Sequence, residues 1–313
     1  MKHRWKYVVF VLLLLALGAG MALTTRNNTE KPVRMMSLIV PETTLPENTA
    51  LREGALRAAD EYKIDLSIIT LSRQNDAEEQ AHLIAREVSN GAQAILLSAA
   101  SRTALVPAIE AAGVPVVTFQ SGVNSPHVPV RLSADQYGMG TALGRSIAQN
   151  NRTVGVICAV DGELADRTDY RNRLRGLCDT IANAGGTCEI LTVSSSELST
   201  PAFANRLRQR GVTAVATLDS GTLERLLGTF PGAGLQLYGF GATSTLLTAL
   251  ENDPNGALVV QDDFSMGFLA VREAYRILDG QKVKDEGAVG YRLITAKNLY
   301  DSANQQLLFP IEQ

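Results

Sequence analysis

The sequence predicts an α/β protein whose parallel β-sheets are covered by helices on both faces. Between residues 51 and 120, amphipathic helical segments alternate three times with short apolar runs. Each run is rich in Ile and Val and lacks the alternation of a half-exposed strand, as is typical of a parallel strand buried on both faces. Strands and helices that alternate at this spacing build βαβ units on an open parallel sheet.

The helices of this region are predicted from one apolar stripe each. Residues 51–62 and 77–88 both place apolar side chains at i, i+4, i+7, i+8 and i+11, which is the pattern of a helix with one buried face. A third helix is expected near residues 102–112. Strands are expected at residues 34–40, 65–70, 93–98 and 114–119.

The segment Gln74-Asn75-Asp76 precedes the second helix. Asn and Asp are preferred N-cap residues, and Glu79 stands where a capping box would place the partner of Asp76. Helix capping is therefore the default interpretation of this segment. In open parallel sheets, ligands bind beyond the carboxyl ends of the strands. We therefore expect the functional edge directly after Val40, Leu97 and Phe119.

The second half of the chain repeats this architecture. Helices are expected at residues 136–149, around 173–177, and at 200–210, 221–229, 244–252 and 265–279, and strands at 153–160, 187–193, 213–220, 235–240, 256–263 and 291–296. Cys178 and Cys188 lie close enough in sequence to pair, and a disulfide is permitted outside the cytoplasm. Buried free cysteines are the more ordinary expectation, because Cys packs as a small apolar residue.

The composition restricts the class of function. A chain of 313 residues with a net charge of −3 favours two globular domains and argues against a nucleic-acid partner. Three Cys and three His without a CxxC or HxxxH motif leave little material for a metal site. The glycine clusters at 138–144 and 239–243 match neither GxGxxG nor a P-loop, and no GxSxG motif occurs. We expect a protein that is not an enzyme and holds no cofactor.

The N-terminus resembles an export signal. Three basic residues within positions 1–6 precede 17 apolar residues, Tyr7 to Leu23, and a polar stretch follows at residues 24–33. This apolar length lies between that of a cleaved signal-peptide core and that of a membrane span. We favour an uncleaved anchor with a polar tether, residues 1–32, and an extracytoplasmic location for the rest. The anchor also stands where a repressor would carry its DNA-binding helices.

Several motifs in the first half resemble those of one family. They are Gln-Asn-Asp, Gly-Ala-Gln-Ala-Ile, Leu-Val-Pro-Ala-Ile, Gly-Val-Pro-Val-Val and Ala-Asp-Gln-Tyr-Gly-x-Gly, within residues 74–121 and 130–148. They resemble type I periplasmic binding proteins, especially the sugar-binding, ribose-binding-protein-like branch. The resemblance implies two Rossmann-like lobes joined by a multi-strand hinge. By that pattern, lobe one is 33–134 plus 263–291 and lobe two is 135–262 plus 292–313.

The same resemblance implies a function and a set of contacts. The expected function is capture of a small polar solute, neutral or anionic and possibly a carbohydrate, for an ABC importer. The alternative is a membrane-anchored sensor that presents the bound solute to a signalling protein such as a histidine kinase. Arg173 and Gln261 match family contacts, whereas the aromatic clamp of sugar binders is replaced by Glu47 and Asn48. The candidate ligand-binding residues are Glu42, Glu47, Asn48, Ser98, Gln120, Ser121, Arg173, Asp219 and Gln261.

Two further expectations concern charged residues at the cleft. Asp219 is expected to orient the guanidinium of Arg173, since it follows a neighbouring strand. The pair Asp262-Asp263 fits a hinge cap as well as it fits a ligand contact.

Overall fold

The computed structural model describes most of the chain after the N-terminal segment. The described residues are 33–43, 49–149, 153–158, 166–193, 195–198, 200–212, 214–229, 236–284 and 286–309. The expected anchor at residues 7–23 and the candidate residues Glu47 and Asn48 lie outside these ranges. Among the helices within them, none has the length and apolar content of a membrane span.

The first of two six-stranded sheets has the order β11-β5-β4-β3-β1-β2. Its neighbours pair in parallel from β11 through to β1. The strands β3 and β4 are buried along their whole length, as their apolar sequences predict. The strands are β1 (Arg34–Ile39), β2 (Ile64–Ile69), β3 (Ala94–Leu97), β4 (Val116–Phe119), β5 (Val130–Ala134) and β11 (Glu286–Val289).

The second sheet has the order β12-β10-β9-β8-β6-β7. Its strands pair in parallel except for β12, which runs antiparallel to β10. The strands are β6 (Thr153–Cys158), β7 (Thr187–Thr192), β8 (Ala214–Thr217), β9 (Gln236–Phe240), β10 (Ala257–Gln261) and β12 (Tyr291–Ile294). Each sheet, together with the helices that pack on it, is called a lobe below.

Helices cover the two sheets. Those of the first lobe are α1 (Ala50–Tyr62), α2 (Ala77–Ser89), α3 (Val106–Ala111) and α10 (Asp263–Leu278). Those of the second lobe are α4 (Gln136–Ala148), α5 (Thr168–Asn183), α6 (Ser195–Leu198), α7 (Pro201–Gln209), α8 (Ser220–Thr229), α9 (Ser244–Glu251) and α11 (Ser302–Leu308). The predicted α/β class with parallel sheets flanked by helices is confirmed.

The chain passes between the lobes at three places. They are Asp135 between β5 and α4, Asp262 between β10 and α10, and Gly290 between β11 and β12. Two of these crossings are joined directly, because the Asp262 amide donates to the Gly290 carbonyl at 2.9 Å. The lobe ranges given above, 33–134 plus 263–291 and 135–262 plus 292–313, remain a proposal.

A pair of glycines brings two helices into close contact in each lobe. In the second lobe, a Cβ on Gly140 of α4 would lie 2.1 Å from the Arg173 carbonyl oxygen, and one on Gly176 of α5 would lie 2.1 Å from the Tyr137 carbonyl oxygen. In the first lobe, Gly54 of α1 and Gly267 of α10 bring these two helices into the same close backbone contact. The glycines of the second lobe set the position of α5, which carries Arg173.

Two local expectations need correction, and a third is confirmed. The helix expected near 102–112 begins at Val106, because a proline in the first helical turn favours a start there. Asp76 caps α2 as predicted, accepting from the Glu79 amide at 2.9 Å. The Glu79 carboxylate, however, turns away from the predicted capping box and accepts from the amides of Ser72 and Arg73.

The expectation of free cysteines is wrong for two of the three. Cys178 in the C-terminal half of α5 and Cys188 on β7 form a disulfide, with Cα atoms 5.3 Å apart. That separation lies within the usual range for the bond. The bond joins α5 to the edge strand of the second sheet.

Candidate ligand-binding cleft

A cavity lies between the lobes at the carboxyl ends of the strands. Its cavity volume is about 120 Å³, and it is partly open to solvent. The first lobe contributes Glu42, Gln120 and Asp263 to its lining. The second lobe contributes Met139, Arg167, Tyr170, Arg173, Asp219, Ser220, Phe240, Gly241, Val259 and Gln261.

Arg173 is fixed in the wall of this cavity. The side chain is only 4% exposed. Its Nε donates to Gln136 Oε1 at 2.7 Å and its Nη1 to the Leu218 carbonyl at 2.9 Å. The guanidinium lies 4.8 Å above the ring centre of Phe240, a cation–π arrangement. These bonds use Nε and Nη1, so Nη2 is the guanidinium nitrogen left to donate to a ligand.

Gln261 belongs to a chain of hydrogen bonds that runs from Arg173 to the hinge. Gln136 accepts from Arg173 and donates from Nε2 to Gln261 Oε1 at 3.1 Å. Gln261 in turn donates from Nε2 to Asp263 Oδ1 at 2.7 Å. Gln261 therefore lines the cleft with both ends of its amide already engaged. Its predicted contact with ligand remains a prediction.

Asp219 lines the cleft but caps a helix with both carboxylate oxygens. Oδ1 accepts from the Thr222 amide and Oδ2 from the Thr222 hydroxyl, each at 2.7 Å. Arg173 is oriented by Gln136 and Leu218. The expectation that Asp219 orients it is not met, because the carboxylate turns toward the start of α8, where backbone amides lack helical partners.

Arg167 is a charged residue of this site that was not predicted from the sequence. Its side chain is 2% exposed and forms two parallel hydrogen bonds to Asp169, at 3.1 and 3.0 Å. Its Nη1 donates to Asn75 Oδ1 at 3.2 Å and lies 3.8 Å from Glu42. Since Asn75 and Glu42 belong to the first lobe, Arg167 connects the lobes. Burial disfavours the charge, but Asp169 and Glu42 outweigh it and raise the pKa of Arg167.

The residues on either side of Arg167 also bind the first lobe. Asp166 accepts from the hydroxyls of Ser101 and Thr103, at 2.6 and 3.0 Å, and from Arg102 Nε at 3.0 Å. The Thr168 hydroxyl donates to the Gly122 carbonyl at 2.9 Å. We call residues 166–168 the inter-lobe latch.

The acidic groups of the cleft differ in how easily they ionise. Burial raises the pKa of Asp263 to about 6, although Gln261 and Arg173 act against it. Burial also raises the pKa of Glu42, and Arg167 offsets part of the effect. The pKa of Asp169 is lowered, because Arg167 and Arg173 outweigh the effect of burial. Asp169 is thus held as an anion, whereas Asp263 and Glu42 lack sufficient positive charge nearby.

The remaining candidates occupy different places. Gln120 lines the cleft from a left-handed backbone conformation, with φ of 60°. Ser121 is buried, and its hydroxyl accepts from the Thr168 amide at 3.3 Å. Ser98 is also buried but does not line the cleft, and its hydroxyl has no hydrogen-bond partner among the described residues. Of the pair Asp262-Asp263, Asp262 caps α10 through Ser265, and Asp263 lines the cleft.

A signal for the missed residues was present in the sequence. Arg167, Tyr170 and Arg173 follow one another at intervals of three, which places them on roughly one face of a helix. The guanidinium of Arg167 lies 5.4 Å above the ring centre of Tyr170. Each aromatic ring that lines the cleft, Tyr170 and Phe240, is therefore covered by an arginine.

Two α/β lobes that enclose a polar cleft at a three-crossing hinge define a solute-binding protein. Residues 36–282 match the model of the periplasmic binding protein domain family, and the chain belongs to that family. Membership implies an extracytoplasmic location.

Sequence comparison finds a relative that is named for ribose import. The ribose import binding protein RbsB of Haemophilus influenzae is 23% identical over 266 residues, which cover 80% of this chain and 87% of the relative. The family match and this relative agree with the resemblance described from the sequence motifs.

Solved structures share the fold. A carbohydrate transporter solute-binding protein from Agrobacterium radiobacter, in complex with D-arabinose, superposes with a TM-score of 0.79 at 18% identity, covering 89% of this chain and 100% of that one. A solute-binding protein from Agrobacterium vitis with bound D-fucose gives 0.77 at 20% identity, covering 88% and 100%. At these identities the likeness concerns the fold alone.

Proposed function

We propose that this protein captures a small polar solute, a sugar or a sugar-like molecule, for an ABC importer. The observation that carries the proposal is Arg173, a buried guanidinium held rigidly in the cleft wall with Nη2 left to donate. Ligands rich in hydroxyls require donors and acceptors fixed on rigid elements. Gln120, Ser220 and the carboxylates of the cleft add to that set.

The relatives support import of a sugar. One is named for ribose import, and two of the structural relatives were solved with D-arabinose and D-fucose. Import is preferred to the sensor alternative because these proteins are described as import or transport components.

The hinge supports a mechanism of closure. The three crossings at Asp135, Asp262 and Gly290 are short, and the latch and Arg167 bind the first lobe from the second. We infer that the lobes rotate about the crossings and that the latch bonds form on closure. Domain closure about a few element-terminal residues is a common response to ligand.

We propose that residues 1–32 export the chain and then tether it to the membrane. The support is the 17-residue apolar run behind basic residues. Fractionation with intact-mass measurement tests this part. A mature chain that begins near Leu23 or Thr24 would contradict the tether and leave the binding function intact.

A thermal-shift screen of the full-length protein tests the binding function. The panel contains D-ribose, D-arabinose, D-fucose, D-galactose and D-glucose, with and without an amino group at C2 for the last two. A ligand at 100 times its Kd stabilises the bound state by about 2.7 kcal/mol, so at least one sugar is expected to raise the melting temperature. Failure of every sugar, confirmed by calorimetric titration, would contradict the proposal.

A further inference from the structure

The two walls of the cleft differ in chemistry. Among the described residues, the first lobe lines it with two carboxylates and one amide, from Glu42, Asp263 and Gln120, and with no cationic side chain. The second lobe supplies the guanidinium of Arg173. A ligand that fits both walls has donors at one end and an acceptor at the other.

The charges of the cleft do not balance internally. Arg167 forms two hydrogen bonds to Asp169 and an ion pair with Glu42 at 3.8 Å, a distance longer than that of a hydrogen bond. The guanidinium groups of Arg167 and Arg173 therefore face four carboxylates, those of Glu42, Asp169, Asp219 and Asp263. Both carboxylate oxygens of Asp219 already accept hydrogen bonds from Thr222 in the helix cap. Glu42 and Asp263 are therefore the carboxylates with acceptor capacity left for a ligand.

In place of the neutral or anionic solute expected from the sequence, we propose that the ligand carries a protonated amine, as an amino sugar does, and that this group binds between the carboxylates of Glu42 and Asp263. The inference rests on the proposed function, since it specifies what the same cleft holds. A neutral hydroxyl can donate a hydrogen bond to these carboxylates, but it leaves their negative charge uncompensated. An ammonium group donates up to three hydrogen bonds and also neutralises their charge. A ligand oxygen then faces Nη2 of Arg173 at the opposite wall.

Pairs of sugars that differ in one group test the inference. The full-length protein is titrated calorimetrically with D-glucosamine against D-glucose and D-galactosamine against D-galactose, with N-acetyl-D-glucosamine as an uncharged nitrogen control and D-ribose and D-arabinose alongside. Charge-assisted hydrogen bonds are roughly twice as strong as neutral ones. We expect an amino sugar to bind about tenfold more tightly than its parent hexose, or better.

Two variants assign the effect to its residues. Glu42→Gln and Asp263→Asn keep the shape of the side chains and remove the charge, so each is expected to bring the ratio of affinities close to one. Asp65→Asn, on an exposed position of β2, is the matched control and leaves the ratio unchanged. The same ratio in all three variants would overturn the assignment to Glu42 and Asp263.

The outcomes separate this inference from the proposed function. If D-ribose, D-arabinose or a parent hexose binds as tightly as any amino sugar, the inference fails and the sugar-binding function stands. If no sugar of either kind binds, both fail. N-acetyl-D-glucosamine binding as tightly as D-glucosamine would show that nitrogen is recognised without its charge, which also overturns the inference.

Discussion

Gln136 donates a hydrogen bond to Gln261 at 3.1 Å and so joins the first turn of α4 to the last residue of β10. Both residues stand next to a hinge crossing. Arginine can only donate hydrogen bonds and an ionised carboxylate can only accept them. All the hydrogen bonds of the series Arg173–Gln136–Gln261–Asp263 therefore donate in one direction, from Arg173 toward Asp263. A ligand that shifts Arg173 or Asp263 is therefore expected to displace Gln136 and Gln261, which stand next to the hinge crossings.

Gln136→Leu tests this connection. The substitution leaves Arg173 Nε and Gln261 Oε1 without their partners in a buried setting, and each loss costs about 1–3 kcal/mol. We expect a lower free energy of unfolding in urea and weaker binding of whichever sugar stabilises the wild type. Gln306→Leu, at an exposed position of α11, is the control and should change neither. Unchanged binding in Gln136→Leu would show that this hydrogen-bond chain does not contribute to ligand affinity.

Arg173→Ala is expected to lower ligand affinity. Losing a hydrogen bond from a charged group costs about 1.5–3 kcal/mol, which is roughly tenfold to more than a hundredfold in Kd. Arg175→Ala, two residues along α5 and stacked on Tyr137 at the surface, should bind normally. Calorimetric titration of both variants, with circular dichroism to confirm folding, makes the comparison. Equal affinity in both would remove Arg173 from the site.

Asn75→Gly isolates the contact that Arg167 makes across the cleft. Asn75 has a φ of 59°, which glycine adopts freely, so the change removes the acceptor of Arg167 with little backbone strain. We expect a larger radius of gyration by small-angle scattering at subsaturating ligand and a weaker affinity. Lys63→Gly changes another left-handed residue, at φ of 54°, in an exposed position. Lys63→Gly should leave the radius of gyration and the affinity unaltered. An equal effect of the two variants would contradict the role of the Arg167–Asn75 contact in holding the lobes together.

Asp263→Asn should stabilise the protein at pH 8 and not at pH 4. Burial raises the pKa of Asp263 to about 6 from an ordinary 3.8, so the folded state holds this proton more tightly than the unfolded chain. That contribution is present below about pH 4 and is lost as the pH rises through 6, a difference of at most about 3 kcal/mol. Urea unfolding at both pH values measures it, with Asp65→Asn as the control. Equal effects at pH 4 and 8 would contradict the assigned burial effect.

Gly176→Ala is expected to destabilise the second lobe. The new Cβ would lie 2.1 Å from the Tyr137 carbonyl oxygen, so α4 and α5 must separate, which costs about 1–3 kcal/mol. Gly228→Ala is the matched control, since it lies in α8 with no heavy atom within 4 Å of the added Cβ. Alanine favours a helix over glycine by up to about 1 kcal/mol, so the control should be neutral or more stable. Thermal unfolding of both variants measures these two changes in stability.

The sequence was sufficient to predict most helices and strands, because apolar periodicity and glycine or proline boundaries mark buried elements. It did not predict β11, since the strand is only four residues long and pairs with β5 across more than a hundred residues. Nor did it predict α11, whose seven residues are mostly polar. Their placement depends on long-range contacts that no local pattern records.

The site was predictable only in part, for a similar reason. Five residues that were selected from strand ends and family positions line the cleft: Glu42, Gln120, Arg173, Asp219 and Gln261. What each polar group bonds to depends on three-dimensional neighbours. Asn75 looked like a helix cap and instead accepts from Arg167, 92 residues later in the chain.

The disulfide between Cys178 and Cys188 links α5, the helix that carries Arg173, to an edge strand of the second sheet. Such bonds form in oxidising compartments and are rare in the cytoplasm. We therefore expect the bond to form after export, so that α5 is linked covalently to the edge strand only outside the cytoplasm.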